Sequence, residues 1–100
     1  MMEQVPRILV VAAHALDYVW RCGGTLAKYA QRGSAIRVIA LSEGVRGEAN
    51  DYWRRPNASE EECSALKLHD TALAADILGV KELRLYHLPD YPLTIGTETV

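Results

Sequence analysis

The chain has 100 residues, enough for one small domain, and its 49% apolar and 24% charged residues are the composition of a folded domain and not of a disordered segment. A formal charge of -2 gives no electrostatic case for wrapping nucleic acid or an anionic membrane, which leaves small molecules or proteins as partners. No apolar run approaches the roughly 18 residues of a membrane span, and no basic-then-apolar leader opens the sequence, so a cytoplasmic location is expected.

In chain order, Ile8 to Ala12 form an unbroken apolar run, and Ile36 to Leu41, interrupted by Arg37, form a second run rich in β-branched residues. Both are expected as strands buried on two faces, as in a parallel sheet. Between them, a turn at Gly23-Gly24 precedes Leu26, Ala27, Tyr29 and Ala30, whose spacing predicts a helix ending near Gly33. Glu43 to Asn57 is polar and broken by Gly44, Gly47, Asn50 and Pro56, which marks a long loop. Ser59 with Glu62 resembles a capping box, and Ala65, Leu66, Leu68, Leu73, Ile77 and Leu78 predict a long helix up to Gly79. Glu82 to His87 reads as a third strand, closed by Pro89, Asp90 and Pro92. The order βαβαβ predicts right-handed crossovers and a Rossmann-like parallel sheet in a three-layer α/β/α arrangement, with the first strand central and ending at His14.

Ligands of such sheets bind past the carboxyl ends of the strands, here Ala13 to Arg21, Ser42 to Arg55 and Leu88 to Leu93. The first segment holds His14 and Asp17, an imidazole and a carboxylate that a tight turn can aim at one metal ion. The same pair could instead do no more than bond the turn and cap the following helix. Gly23 and Gly24 lie too far past the first strand for a dinucleotide fingerprint, and no phosphate-loop motif is present. In the second segment Arg46, Arg54 and Arg55 could grip a carboxylate, and Glu48 could act as acid or base, beside Asp51, Tyr52 and Trp53. Lys67 and Asp70 could pair one helical turn apart, His69 is expected at the surface, and His87 and Asp90 flank the third strand end. Cys22 and Cys63 are too few and too far apart for a disulfide framework and are expected as free thiols.

The lines VVAAHALDYVWRCGGTLAKYAQRG, IRVIALSEGVRGE, ALAADILGV and LPDYPL, in that order, resemble the N-terminal half of the PIG-L/LmbE-like zinc-dependent family. The resemblance runs from about Ile8 to Leu93 and implies a Rossmann-like fold with a His-Pro-Asp-Asp-Glu motif after the first strand. In the family's deacetylases the histidine and the second aspartate hold zinc, and the first aspartate is the general base. Matched residue by residue, His14 and Asp17 are the metal ligands, while Leu16 replaces the first aspartate and Tyr18 the glutamate. Leucine cannot take a proton, which puts the sugar-deacetylase mechanism in doubt.

Tyr18 with Val-Trp-Arg after it, Arg46 to Glu48, and Trp53-Arg54 look more like the branch that contains 4-oxalomesaconate hydratase, which acts on unsaturated oxo-acids in aromatic-compound breakdown. On that reading Glu48 is catalytic, Arg46, Arg54, Arg55 and Asp90 bind substrate, and zinc or another divalent metal is the cofactor. The alternatives are an N-acetyl-sugar deacetylase and a non-catalytic remnant. Partners would be a small carboxylate substrate and, in a homo-oligomer, further copies of the chain. Family chains run longer and take their remaining zinc ligand, a histidine, from later in the fold. Neither His69 nor His87 matches it, so residues 1–100 are expected to be one partial, truncated domain that binds zinc weakly.

Overall fold

The computed structural model describes residues 4–90 and 92–99. Three strands, β1 (Ile8–Ala12), β2 (Ile36–Ala40) and β3 (Glu82–Leu85), form a parallel sheet in the order β1-β2-β3. Helix α1 (Asp17–Gln31) links the first two strands, while α2 (Asn50–Trp53) and α3 (Glu60–Leu78) lie between the second and third. A short 3-10 turn covers Thr97–Thr99. The parallel βαβαβ order is as expected, but β2 is the central strand of the described sheet and β1 lies at its edge, ending at Ala12. Tyr91 of the LPDYPL line lies outside the described residues.

Successive crossovers that advance across the sheet in one direction place their helices on one face. Both α1 and α3 accordingly cover the face carrying Val10, Ile36, Val38 and Leu83, and the core is Tyr18, Leu26, Ile36, Val38 and Ala75. Burying side chains such as Leu26, Ile36 and Val38 contributes about 1.5–3 kcal/mol each. The opposite face is divided. Leu9 and Val11 on β1 stay 60% and 61% exposed, and next to β3 Arg37 and Glu82 form an ion pair at 2.8 Å. Among the described residues the sheet therefore carries one helical layer of the expected two.

Helix α1 starts earlier than the glycines suggested. It begins at Asp17, and Gly23 and Gly24 lie inside it, past a kink where Cys22 takes φ -146° and ψ 17°. Gly23 packs toward Leu78 of α3, and Gly24 faces open space. Helix α3 has the expected ends. Ser59 accepts a hydrogen bond from the Glu62 N–H at 3.2 Å, and Gly79 caps the other end in the left-handed conformation at φ +83°. A β-carbon at Gly79 would also lie 2.7 Å from the Ala30 methyl, so both conformation and space require glycine.

The buried face of α3 differs from the one the leucines suggested. Cys63, Thr71 and Ala75 turn inward, whereas Leu66, Leu68, Leu73 and Ile77 are exposed. Small residues let α1 approach closely, and Tyr18 fixes the contact: its hydroxyl donates to the Thr71 carbonyl at 2.9 Å and lies 3.1 Å from Thr71 Oγ1. Thr71 Oγ1 in turn donates to the Ala15 carbonyl at 2.6 Å. Burial pushes the Tyr18 phenol above its ordinary value of 10.0, with the Thr71 hydrogen bond opposing. Because the folded value exceeds the unfolded one, the folded state holds the proton longer, and Tyr18 costs stability as pH rises past about 10. Tyr18→Phe is expected to lower stability at neutral pH by about 1 kcal/mol and to flatten the alkaline fall of the unfolding free energy. Denaturant titrations at pH 7 and above 10 check both.

Candidate metal centre

Past the end of β1 the chain turns tightly into α1. The turn is closed by the Asp17 carboxylate, whose Oδ2 accepts the His14 N–H at 2.9 Å and lies 3.2 Å from His14 Nδ1. Asp17 stands in the first turn of α1, where the helix dipole favours a negative charge. No side chain caps that end at Leu16. The carboxylate thus both holds the turn and faces the imidazole.

The loop after β2 brings in the third group. Glu48 Oε1 lies 3.6 Å from His14 Nδ1, and one donor atom each from His14, Asp17 and Glu48 fall within 4.8 Å of one another. Donors about 2.0–2.2 Å from a tetrahedral zinc ion stand roughly 3.5 Å apart, so this set closes on an ion with modest side-chain movement. One nitrogen and two carboxylates are suitable donors for zinc or a similar divalent ion. The three residues line a cleft of about 430 Å³ with Val10, Tyr18 and Arg21.

Several contacts hold Glu48 in place. The Glu48 N–H bonds back to the Gly44 carbonyl at 3.1 Å, and Lys67 donates to the Glu48 carbonyl at 2.8 Å instead of pairing with Asp70. Asp90, expected at the substrate, is 6% exposed and accepts the backbone N–H groups of Arg46 and Gly47 at 2.8–3.2 Å. It therefore pins the segment just before Glu48. Gly44 sits at φ +78°, and a β-carbon there would come within 3.0 Å of Glu48 Cβ and 3.4 Å of His14 Cβ. Only glycine leaves room for the two loops to meet. A glycine after a strand is too common a signal for sequence reasoning to have singled it out.

The segment expected as a long loop has a small core of its own. Ala49, just before helix α2, and Tyr52 within it are buried against Cys63 of α3, and the Tyr52 hydroxyl accepts the Ser59 N–H and lies 2.9 Å from Glu62 Oε1. Burial pushes the Cys63 thiol up, and both cysteines are free.

The arginines of this loop do not converge on His14. Arg46 pairs with Glu60, Arg54 with Asp51 at 3.0 Å, and Arg55 lies over the Tyr52 ring at 5.5 Å. Arg54 and Arg55 line a neighbouring groove that Glu48 also borders. His69 is exposed on α3, and His87 pairs with Glu43 at 3.1 Å, apart from the His14 cluster.

A parallel sheet that presents an imidazole and two carboxylates past its strand ends defines a Rossmann-like α/β protein with a candidate metal centre. The chain belongs to the PIG-L family, described as GlcNAc-PI de-N-acetylase, whose model matches residues 9–99. It is 37% identical over 92 residues to the 4-oxalmesaconate hydratase of Pseudomonas putida, covering 92% of this chain and 35% of that protein. It is 46% identical over 82 residues to a 1D-myo-inositol 2-acetamido-2-deoxy-alpha-D-glucopyranoside deacetylase of a Mycobacterium species, covering 80% of this chain and 27% of that protein. Among solved structures, the 4-carboxy-2-hydroxymuconate hydratase GalB of Pseudomonas putida superposes with a TM-score of 0.87 at 35% identity, over 93% of this chain and 39% of that one. The N,N'-diacetylchitobiose deacetylase of Pyrococcus horikoshii, with a TM-score of 0.80, 24% identity and coverage of 92% and 33%, shares the fold. The family thus includes hydratases and deacetylases, and the chain spans about a third of the length of the curated relatives it matches. No helix among the described residues is long and apolar enough to cross a membrane.

Proposed function

We propose that the chain carries the metal-binding part of a zinc-dependent hydratase, which adds water to an unsaturated oxo-carboxylic acid of the 4-oxalomesaconate kind during aromatic-compound breakdown in the cytoplasm. The observation that carries this reading is the pairing of Leu16 with Glu48. Position 16 offers no carboxylate where the deacetylase motif has its base, and the acid group facing His14 comes from the second loop.

His14 and Asp17 are the residues that would hold the ion, with Glu48 close enough to join them. A zinc ion there supplies Lewis-acid polarisation of a substrate oxygen. Glu48 takes a proton from the water that adds to the carbon–carbon double bond and returns one to the neighbouring carbon, so hydroxyl and hydrogen are both accounted for. Asp90, Lys67 and the Gly44 turn hold Glu48 in position for that exchange.

The second reading is an N-acetyl-sugar deacetylase, favoured by the 46% identity to the Mycobacterium enzyme. Offering zinc-loaded protein both substrate types separates the two. Loss of the conjugated chromophore of 4-oxalomesaconate without acetate release is expected. Acetate release from an N-acetylglucosaminyl inositol, with the chromophore unchanged, would replace the hydratase reading with the deacetylase one.

A further inference from the structure

We infer that Arg21 is the residue that selects an anionic substrate, by binding a carboxylate group in the His14 cleft; this rests on the metal-centre reading above. Arg21 stands four residues after Asp17 in α1, one helical turn away on the same side, and immediately before the kink at Cys22. It lines the cleft with His14, Asp17 and Glu48. Among the described residues its guanidinium makes no hydrogen bond or ion pair, whereas Arg46 and Arg54 are committed to Glu60 and Asp51.

Charge balance gives this free cation its role. A ligating imidazole is uncharged, and the two negative charges of Asp17 and Glu48 are cancelled by one divalent ion. The cleft is then neutral apart from Arg21, the one cationic side chain among its lining residues. A neutral acetamido sugar would leave the guanidinium without a partner. An oxo-dicarboxylate supplies one, in the planar two-point geometry that arginine matches and lysine does not. Residue type and position assigned a carboxylate-binding role to the arginines of the second loop; Arg21 closes the first strand-end segment, and its place in helix α1, which starts at Asp17, sets it along the cleft.

The test is calorimetric titration of the zinc-loaded 100-residue chain with 2-oxoglutarate and with its neutral dimethyl ester, zinc content being measured on the same samples. The unaltered chain is expected to prefer the dianion. Arg21→Met is expected to weaken 2-oxoglutarate binding by about tenfold or more with zinc content and ester binding unchanged, and Arg21→Lys to restore part of it. Arg37→Met, which removes a cation from the opposite face of the sheet, is expected to leave the preference intact. The inference is overturned if Arg21→Met keeps the preference, or if the unaltered chain binds dianion and ester alike while holding zinc. Failure of the unaltered chain to load zinc would instead remove the metal-centre reading and this inference with it.

Discussion

Glu48→Gln is expected to lower hydration of the unsaturated oxo-acid by about a hundredfold or more, the usual loss when a general acid-base group is removed, while zinc content stays unchanged. The amide keeps the size of the side chain, so the contacts that fix the loop, from the Asp90 carboxylate to the Arg46 and Gly47 N–H groups and from Lys67 to the Glu48 carbonyl, remain possible. What is lost is the capacity to carry a proton 3.6 Å from the His14 ring. Rival carboxylates are placed elsewhere. Asp51 is exposed against Arg54, and Asp90 is buried on backbone donors. Restoring an acid at the first loop by Leu16→Asp is not expected to rescue the variant on the oxo-acid. Turnover and metal analysis on one preparation check this. Near-normal turnover would end the proton-transfer role, and loss of zinc together with turnover would make Glu48 a ligand.

The order of elements was legible because each has a local signature. The run Ile8 to Ala12 became β1 and most of the run Ile36 to Leu41 became β2, and Ser59 and Gly79 marked the two ends of α3. Features set by three-dimensional packing were less legible. The glycine pair suggested a turn, yet helix α1 runs through it, because the start at Asp17 follows from a turn closed by that residue's own carboxylate. The leucines of α3 suggested its buried face, but Tyr18 needed a hydroxyl partner and a close approach, which Thr71 and Ala75 supply. The first strand was expected to be central, and hydropathy could not distinguish that from an edge strand with Leu9 and Val11 exposed.

At the candidate site, residue type and spacing singled out His14 and Asp17 but left turn bonding and helix capping open as well, and the family resemblance gave them the ligand role. Glu48 could be placed from the rule that loops after neighbouring parallel strands open on one crevice. Arg46 and Asp90 also lie past strand ends, but there the rule gives position and not orientation. Their side chains face Glu60 and the loop backbone. Arg21 closed the first strand-end segment and the Val-Trp-Arg line, and Gly44 stood in the second loop, but residue type alone gave neither a role at the cleft; that comes from the line of helix α1 and from how closely the two loops approach.

The second large effect is expected at His14. Replacing the imidazole by alanine removes the one nitrogen donor and leaves only carboxylate oxygen, which suits magnesium or calcium better than zinc. The loss should exceed the roughly 10–100-fold cost of removing an outer-shell partner from a metal site. Because Asp17 also accepts the His14 backbone N–H, which alanine retains, the turn should survive and folding should not obscure the result. Calorimetric zinc titration of the unaltered chain and of His14→Ala therefore tests the central claim most directly. The account predicts one zinc per unaltered chain and no measurable binding in the variant; equal zinc binding by both would place the metal elsewhere and contradict it.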